Sequence, residues 1–237
     1  MLKTIRSDVQ AVLDRDPAAR NALEVVLLYP GLHALWLYRV AHVLWRNGLF
    51  FAGRLISQFA RWLTGIEIHP GAQIGPGFFV DHGMATVIGE TAEIGAYVTL
   101  YHNVTLGGVS LEKVKRHPTL EDHVVVGAGA QILGPIVIGE HSRIGSNSVV
   151  VKDVPPHSVV VGVPGRIIVS NGKRLPEPAA AGGEDLHHNQ LPDPTVEMIR
   201  HLTARVVSLE ASLSRMNVNE YSTEAADAWV DVGGSHI

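Results

Sequence analysis

Two adjacent pairs of residues, Asp81-His82 and Arg116-His117, carry acid–base and ion-binding chemistry. A histidine titrates near neutral pH, so with a carboxylate orienting its other ring nitrogen it can take a proton from a hydroxyl. Such a base contributes about 10²- to 10⁴-fold to a rate. Glu67 stands fifteen residues before His82 and is the candidate for that orienting carboxylate. Arg116 supplies a planar cation suited to a carboxylate, next to a second imidazole. The chain has 13 histidines, and any one of them would ordinarily be a surface residue. These two stand out because both pairs coincide with breaks in an otherwise regular pattern.

The pattern is a large aliphatic residue at every sixth position. It runs through Leu120, Val126, Ile132, Ile138, Ile144 and Val150, and upstream through Ile68, Ile74 and Val80 and then Ile88, Ile94, Leu100 and Leu106. Helices repeat apolar residues every three or four positions and free strands every two, so a period of six predicts a parallel β-helix built from short equal pieces. One rung cannot bury its own apolar side chain, so the rungs stack and the aliphatic stations form a continuous interior column. Glycine follows the station at Gly75, Gly89, Gly95, Gly107, Gly127, Gly139 and Gly145, where a corner calls for positive φ or close backbone approach. Val80 to Ile88 is eight positions rather than six, and Leu106 to Leu120 is fourteen rather than twelve. Extra residues cannot enter the interior of a solenoid, so they leave it as loops, where binding concentrates.

The rest of the chain frames this coil. Residues 1–64 predict helices, with Leu32, Leu35, Trp36, Val40, Val43 and Leu44 at helical steps and Pro17 and Pro30 at helix starts. Asp14-Arg15-Asp16-Pro17 reads as a turn with a helix N-cap. Residues 65–170 form the coil. Residues 171–237 comprise a linker, a short heptad helix through Ile199, Leu202, Val206, Leu209, Leu213 and Met216, and a flexible tail ending in Ile237. The heptad seam is expected to pack on other subunits or on the chain's own coil. The fold class is therefore α+β. Its 237 residues, 46 % apolar, are enough for a sizeable core. A net charge of −4 leaves no electrostatic footprint for nucleic acid, no segment reads as a signal peptide or a membrane span, and a cytoplasmic location is expected. The absence of cysteine excludes disulfides, zinc–thiolate sites and thiol nucleophiles.

Several stretches together resemble serine O-acetyltransferase, a left-handed β-helix enzyme of the hexapeptide-repeat acyltransferases. They are Glu67-Ile68-His69-Pro70, Asp81-His82, Gly89-Glu90-Thr91, Val104-Thr105-Leu106-Gly107-Gly108, Lys115-Arg116-His117-Pro118, Gly127-Ala128-Gly129-Ala130 and Gly162-Val163-Pro164-Gly165-Arg166. The resemblance spans about residues 14–168. It implies transfer of acetyl from acetyl-CoA to the hydroxyl of L-serine by direct attack, with no metal. His82 would be the base and Glu67 its orienting partner, where the family usually has aspartate. Asp16 and Asp81 would hold the substrate ammonium, Arg116 its carboxylate, and His117 would assist the substrate and the developing oxyanion. By the same resemblance, acetyl-CoA would lie between neighbouring coils of a trimer, against amides around Gly108, Ala128 and Ser146, with Arg166 and Lys152 near phosphate. A homotrimer is expected, with a hexamer open because longer members join trimers through a larger helical domain. L-cysteine is implied as a feedback inhibitor, and O-acetylserine sulfhydrylase as a partner captured by the carboxylate of Ile237.

Two other enzymes share the expected fold. An acyltransferase acting on a sugar hydroxyl would account for Asp153-Val154-Pro155-Pro156, but it gives no reason for Arg116 beside His117. A γ-type carbonic anhydrase would place zinc on three histidines, here His82, His117 and His123, but the last pair has five intervening residues where four are usual. A non-catalytic scaffold would require neither pair.

Overall fold

The computed structural model describes residues 2–170, 173–174 and 202–210. The chain divides into two compact units, residues 1–192 and 193–237. In the second, residues 202–210 are helical. Ile199, Leu213, Met216 and Ile237 of the expected heptad and tail lie outside the described residues.

The first unit opens with α1 (Leu2–Arg15), α2 (Ala22–Leu28), α3 (Pro30–Arg46) and α4 (Phe50–Thr64). Their ends follow local chemistry. Asn21 caps α2 by accepting from the Glu24 N–H, Pro30 begins α3, and Gly65 closes α4 in the left-handed region at φ 71°. The expected N-cap at Asp14–Pro17 differs: α1 runs through Arg15, Asp16 accepts from the Ala18 N–H at 2.8 Å in a turn, and the cap belongs to Asn21. Tyr38 Oη donates to Ala72 O (2.6 Å) and Ser57 Oγ to Ile68 O (2.7 Å), both buried, tying α3 and α4 to the first turn of the coil. No helix among the described residues is long and apolar enough to cross a membrane.

The coil is a triangular prism of very short strands. Its first turn holds β1 (Glu67–Ile68), β2 (Gln73–Ile74) and β3 (Phe79–Val80), and its second β4 (Val87–Ile88), β5 (Glu93–Ile94) and β6 (Thr99–Leu100). The third holds β7 (Thr105–Gly107), β8 (Thr119–Leu120) and β9 (Val125–Val126), and the fourth β10 (Gln131–Leu133), β11 (Val137–Ile138) and β12 (Arg143–Ile144). β13 (Val149–Val150) and β14 (Val159–Val161) close it, and β15 (Arg166–Ser170) and β16 (Lys173–Arg174) turn back antiparallel. The first face is β1-β4-β7-β10-β13, the second β2-β5-β8-β11, and the third carries β3, β6, β9, β12 and β14.

Register explains the period of six. Ile68, Ile88, Leu106, Ile132 and Val150 stack on the first face, Ile74, Ile94, Leu120 and Ile138 on the second, and Val80, Leu100, Val126 and Ile144 on the third. The single column expected from the sequence is thus three columns meeting in one core, all buried except the partly buried Ile74. Each fully buried Leu or Ile contributes roughly 1.5–3 kcal/mol. The corner glycines serve close approach. A Cβ on Gly75 would lie 2.6 Å from Gly95 O, and one on Gly127 2.7 Å from Ser146 N, both in the next rung. None of the glycines that follow a station has positive φ; among the described non-glycine residues it falls on His82, Ala85, Tyr97, Asn103, His123, His141, Asn147 and His157. The Asn and His side chains tolerate that region better than most.

Candidate active site

The two breaks in the period lie at different corners of the prism. Residues 81–86 join the third face to the first, between β3 and β4, and residues 108–118 join the first face to the second, between β7 and β8. One side of the triangle separates them.

At the third-to-first corner, Asp81 is tied to the next rung by its N–H donating to Leu100 O at 2.9 Å. The helical segment adds Asp16, whose carboxylate accepts from Tyr29 Oη at 2.6 Å. Burial pushes the Asp81 carboxyl up, with a further push from the charge of Asp16 and an opposing pull from His82. Burial, together with the hydrogen bond to Asp16, pushes the Tyr29 phenol up to about 12. Tyr101 is raised by burial and by both carboxylates. The His82 side chain is 74% exposed, with Nε2 3.9 Å from Asp81 Oδ1 and its ring 5.9 Å from that of His102. This corner therefore offers two mutually repelling carboxylates, which favour a cation between them, and a solvent-facing imidazole. Glu67 lies on the first face beside this corner, and its carboxylate is 3.2 Å from Arg61 Nη1.

At the first-to-second corner, Arg116 forms an ion pair with Glu90, and its Nη1 donates to Glu112 O at 3.4 Å. Lys115 Nζ donates to Thr91 O (2.8 Å) and pairs with Glu93 (3.0 Å), so the end of the loop is fastened to the rung before it. The guanidinium keeps further donors for a second carboxylate. His117 is buried, with Nδ1 2.9 Å from Thr91 Oγ1 and 3.2 Å from Thr91 N. Burial lowers its pKa, and the adjacent Arg116 lowers it further. His69, on the same corner two rungs earlier, is lowered to about 4, first by burial and then by Arg54. Both rings are neutral at pH 7.

Among the expected cofactor contacts, Gly108 sits in the second corner, where a Cβ would lie 3.1 Å from His117 Nε2. Ala128 and Ser146 continue the corner of His82 into the following rungs, after β9 and β12. Ser146 Oγ is buried and has no hydrogen-bond partner among the described residues. Arg166 is exposed and pairs with Val161 at the end of the third face, and Lys152 is exposed. His123 stands at the remaining corner, stacked between Tyr97 and His141. His82, His117 and His123 thus occupy three different corners of one chain. Sequence reasoning assigned no role to Tyr29, Thr91 or Glu90. Gly89-Glu90-Thr91 was at least visible as a motif, whereas nothing in the pattern marked Tyr29.

Comparison with known proteins identifies the family. Two family profiles match, "Serine acetyltransferase, N-terminal" over residues 1–36 and "Bacterial transferase hexapeptide (six repeats)" over residues 117–152. The serine acetyltransferase of Mycobacterium tuberculosis (strain H37Rv) is 53% identical over 211 residues, covering 89% of this chain and 89% of that protein. That of Bacillus subtilis (strain 168) is 50% identical over 211 residues, covering 89% and 94%. The crystal structure of Neisseria gonorrhoeae serine acetyltransferase in complex with serine superposes with a TM-score of 0.68 at 40% identity, covering 70% of this chain and 68% of that one. A serine acetyltransferase in complex with cysteine gives 0.70 at 38% identity, covering 71% and 70%. With its left-handed β-helix preceded by helices, and at about half identity over most of its length to these relatives, the chain belongs to the serine acetyltransferase family.

Proposed function

We propose that the protein transfers acetyl from acetyl-CoA to the hydroxyl of L-serine, giving O-acetyl-L-serine for cysteine biosynthesis. The observation that carries this reading is the division of chemistry between the two corners. Asp16 and Asp81 suit an ammonium, Arg116 suits a carboxylate, and His82 is a solvent-facing base. An amino acid with a side-chain hydroxyl satisfies all three. His82 takes the proton as the serine Oγ attacks the thioester carbonyl carbon. The oxyanion formed there faces His117, and collapse breaks the C–S bond and returns the proton to the leaving thiolate. Glu67 orients His82 from the first face, which requires its carboxylate to exchange Arg61 for the imidazole. Backbone amides near Gly108, Ala128 and Ser146 receive the acyl and pantetheine groups, and Arg166, with Lys152, meets phosphate.

The two half-sites are a triangle side apart in one chain, so a complete site needs the His82 corner of one protomer against the Arg116–His117 corner of the next. Cyclic closure of such a heterologous contact gives a homotrimer. Helix α4 also turns Phe51, Leu55, Phe59 and Trp62 outward, an apolar stripe that supports further association into a hexamer. L-cysteine, with the same ammonium and carboxylate, would occupy the serine pocket as a feedback inhibitor. Ile237 would engage O-acetylserine sulfhydrylase through its free carboxylate.

Release of CoA thiol from acetyl-CoA should occur with L-serine and fall at least about tenfold with L-homoserine, whose longer side chain misplaces the hydroxyl. Turnover with a galactoside and none with serine would replace the amino-acid reading with a sugar acyltransferase.

A further inference from the structure

The proposed reaction asks different things of two histidines, and resting on that reading, a feature of the second corner separates their roles. Thr91 Oγ1 accepts two backbone hydrogen bonds, from Arg116 N at 3.0 Å and from His117 N at 3.1 Å. A hydroxyl has two acceptor lone pairs and one proton. With both lone pairs engaged, the proton is directed to the remaining neighbour, His117 Nδ1 at 2.9 Å. The Thr91 backbone N–H, which can only donate, points to the same nitrogen at 3.2 Å. Nδ1 therefore receives two donors and carries no proton, and the single proton of the neutral ring sits on Nε2.

The other side of the ring is equally constrained. A Cβ on Gly89 would lie 2.1 Å from His117 Nε2, and one on Gly108 3.1 Å from it, so the two glycines leave the space that the Nε2 edge fills. Glu90 and Lys115 face the ring's corner along with Arg116, and His69 stands two rungs away. A second proton on His117 would have to displace both Thr91 donors in a buried site beside a guanidinium.

We infer that Thr91 is a positioning residue that fixes His117 as a permanent Nε2–H donor, so that His117 stabilises the developing oxyanion and cannot compete with His82 for the serine proton. The assignment explains how two histidines can share one active site without exchanging roles. The His82 ring is exposed to solvent, whereas His117 is held in one tautomer by a residue 26 positions earlier in the chain.

Nitrogen NMR of the full chain labelled with ¹⁵N-histidine tests this, with the His117 signals identified by their loss in His117→Asn. A protonated Nε2 and a bare Nδ1 are expected from about pH 6 to 8. Thr91→Val should allow a mixture of tautomers, raise the pKa of His117 and lower kcat about tenfold, with KM for both substrates within about twofold. Thr91→Ser keeps the hydroxyl and should restore the spectrum and the rate. A proton on Nδ1 in the unaltered protein overturns the assignment, as does a Thr91→Val protein with the native spectrum and kcat. If Thr91→Val fails to fold, the unaltered and Thr91→Ser spectra still decide. Absence of serine-dependent CoA release from the intact chain would strike the proposed function, whereas the tautomer is read without any turnover.

Discussion

Replacing His82 with alanine lowers kcat for serine acetylation by about 10²- to 10⁴-fold and leaves the KM for acetyl-CoA within about threefold. The serine hydroxyl is a poor nucleophile until its proton is taken as the C–O bond forms. At the corner of Asp16 and Asp81, His82 is the imidazole that faces solvent, at 74% exposure, and can approach a bound hydroxyl. His102, its ring neighbour at 5.9 Å, lies one rung further along and follows a different strand. Steady-state kinetics on the variant checks the expectation. A fall of less than about fivefold would move the base elsewhere, with His102 the next residue to replace.

Gly89→Ala should reduce kcat by about 10²-fold although it replaces no titratable group. The new methyl would lie 1.9 Å from His117 Cδ2 and 2.1 Å from Nε2, well inside contact distance. The ring cannot retreat freely, because Thr91 holds Nδ1 from the opposite side. The imidazole must therefore tilt, and its donor leaves the position of the oxyanion. Losing one donor of this kind typically costs about 10²- to 10³-fold. Overpacking at the same point should cost about 1–3 kcal/mol of stability, visible as a lower Tm. Native kcat together with native Tm would show that the corner opens more easily than its contacts imply.

How much of this was legible in the sequence differs by element. The coil was readable because a station every sixth residue has few structural explanations, and the register confirms it from Ile68↔Ile88 through Ile132↔Val150. The period alone did not say that a chain passing three faces distributes its stations over three columns. The two breaks do leave the coil as loops, between β3 and β4 and between β7 and β8. The number of faces between them, and hence their separation to different corners, emerges only when the strands are counted around the prism. Contacts arising from the helices were invisible. Tyr29 reaches Asp16 across the turn between α1 and α2, and no periodicity encodes where a helix lays its phenol. Thr91 escaped for a similar reason, since its partners Arg116 and His117 lie 25 and 26 positions away, a separation set by the long loop rather than by the repeat. For Glu67 the spacing brought the carboxylate beside the corner of His82, but spacing could not reveal the competing guanidinium of Arg61 in α4.

On the proposed mechanism, serine is acetylated at a site shared by two protomers, one giving His82 and the next giving His117. The direct test is to co-express His82→Ala and His117→Ala chains under two different tags and purify only assemblies carrying both. Neither variant alone should exceed about 1% of native kcat. In a cyclic trimer, either mixed composition has a single junction at which an intact His82 meets an intact His117, so activity should return to about one third of native. Mixed assemblies as inactive as their parents would contradict the shared site and require both histidines to act within one chain.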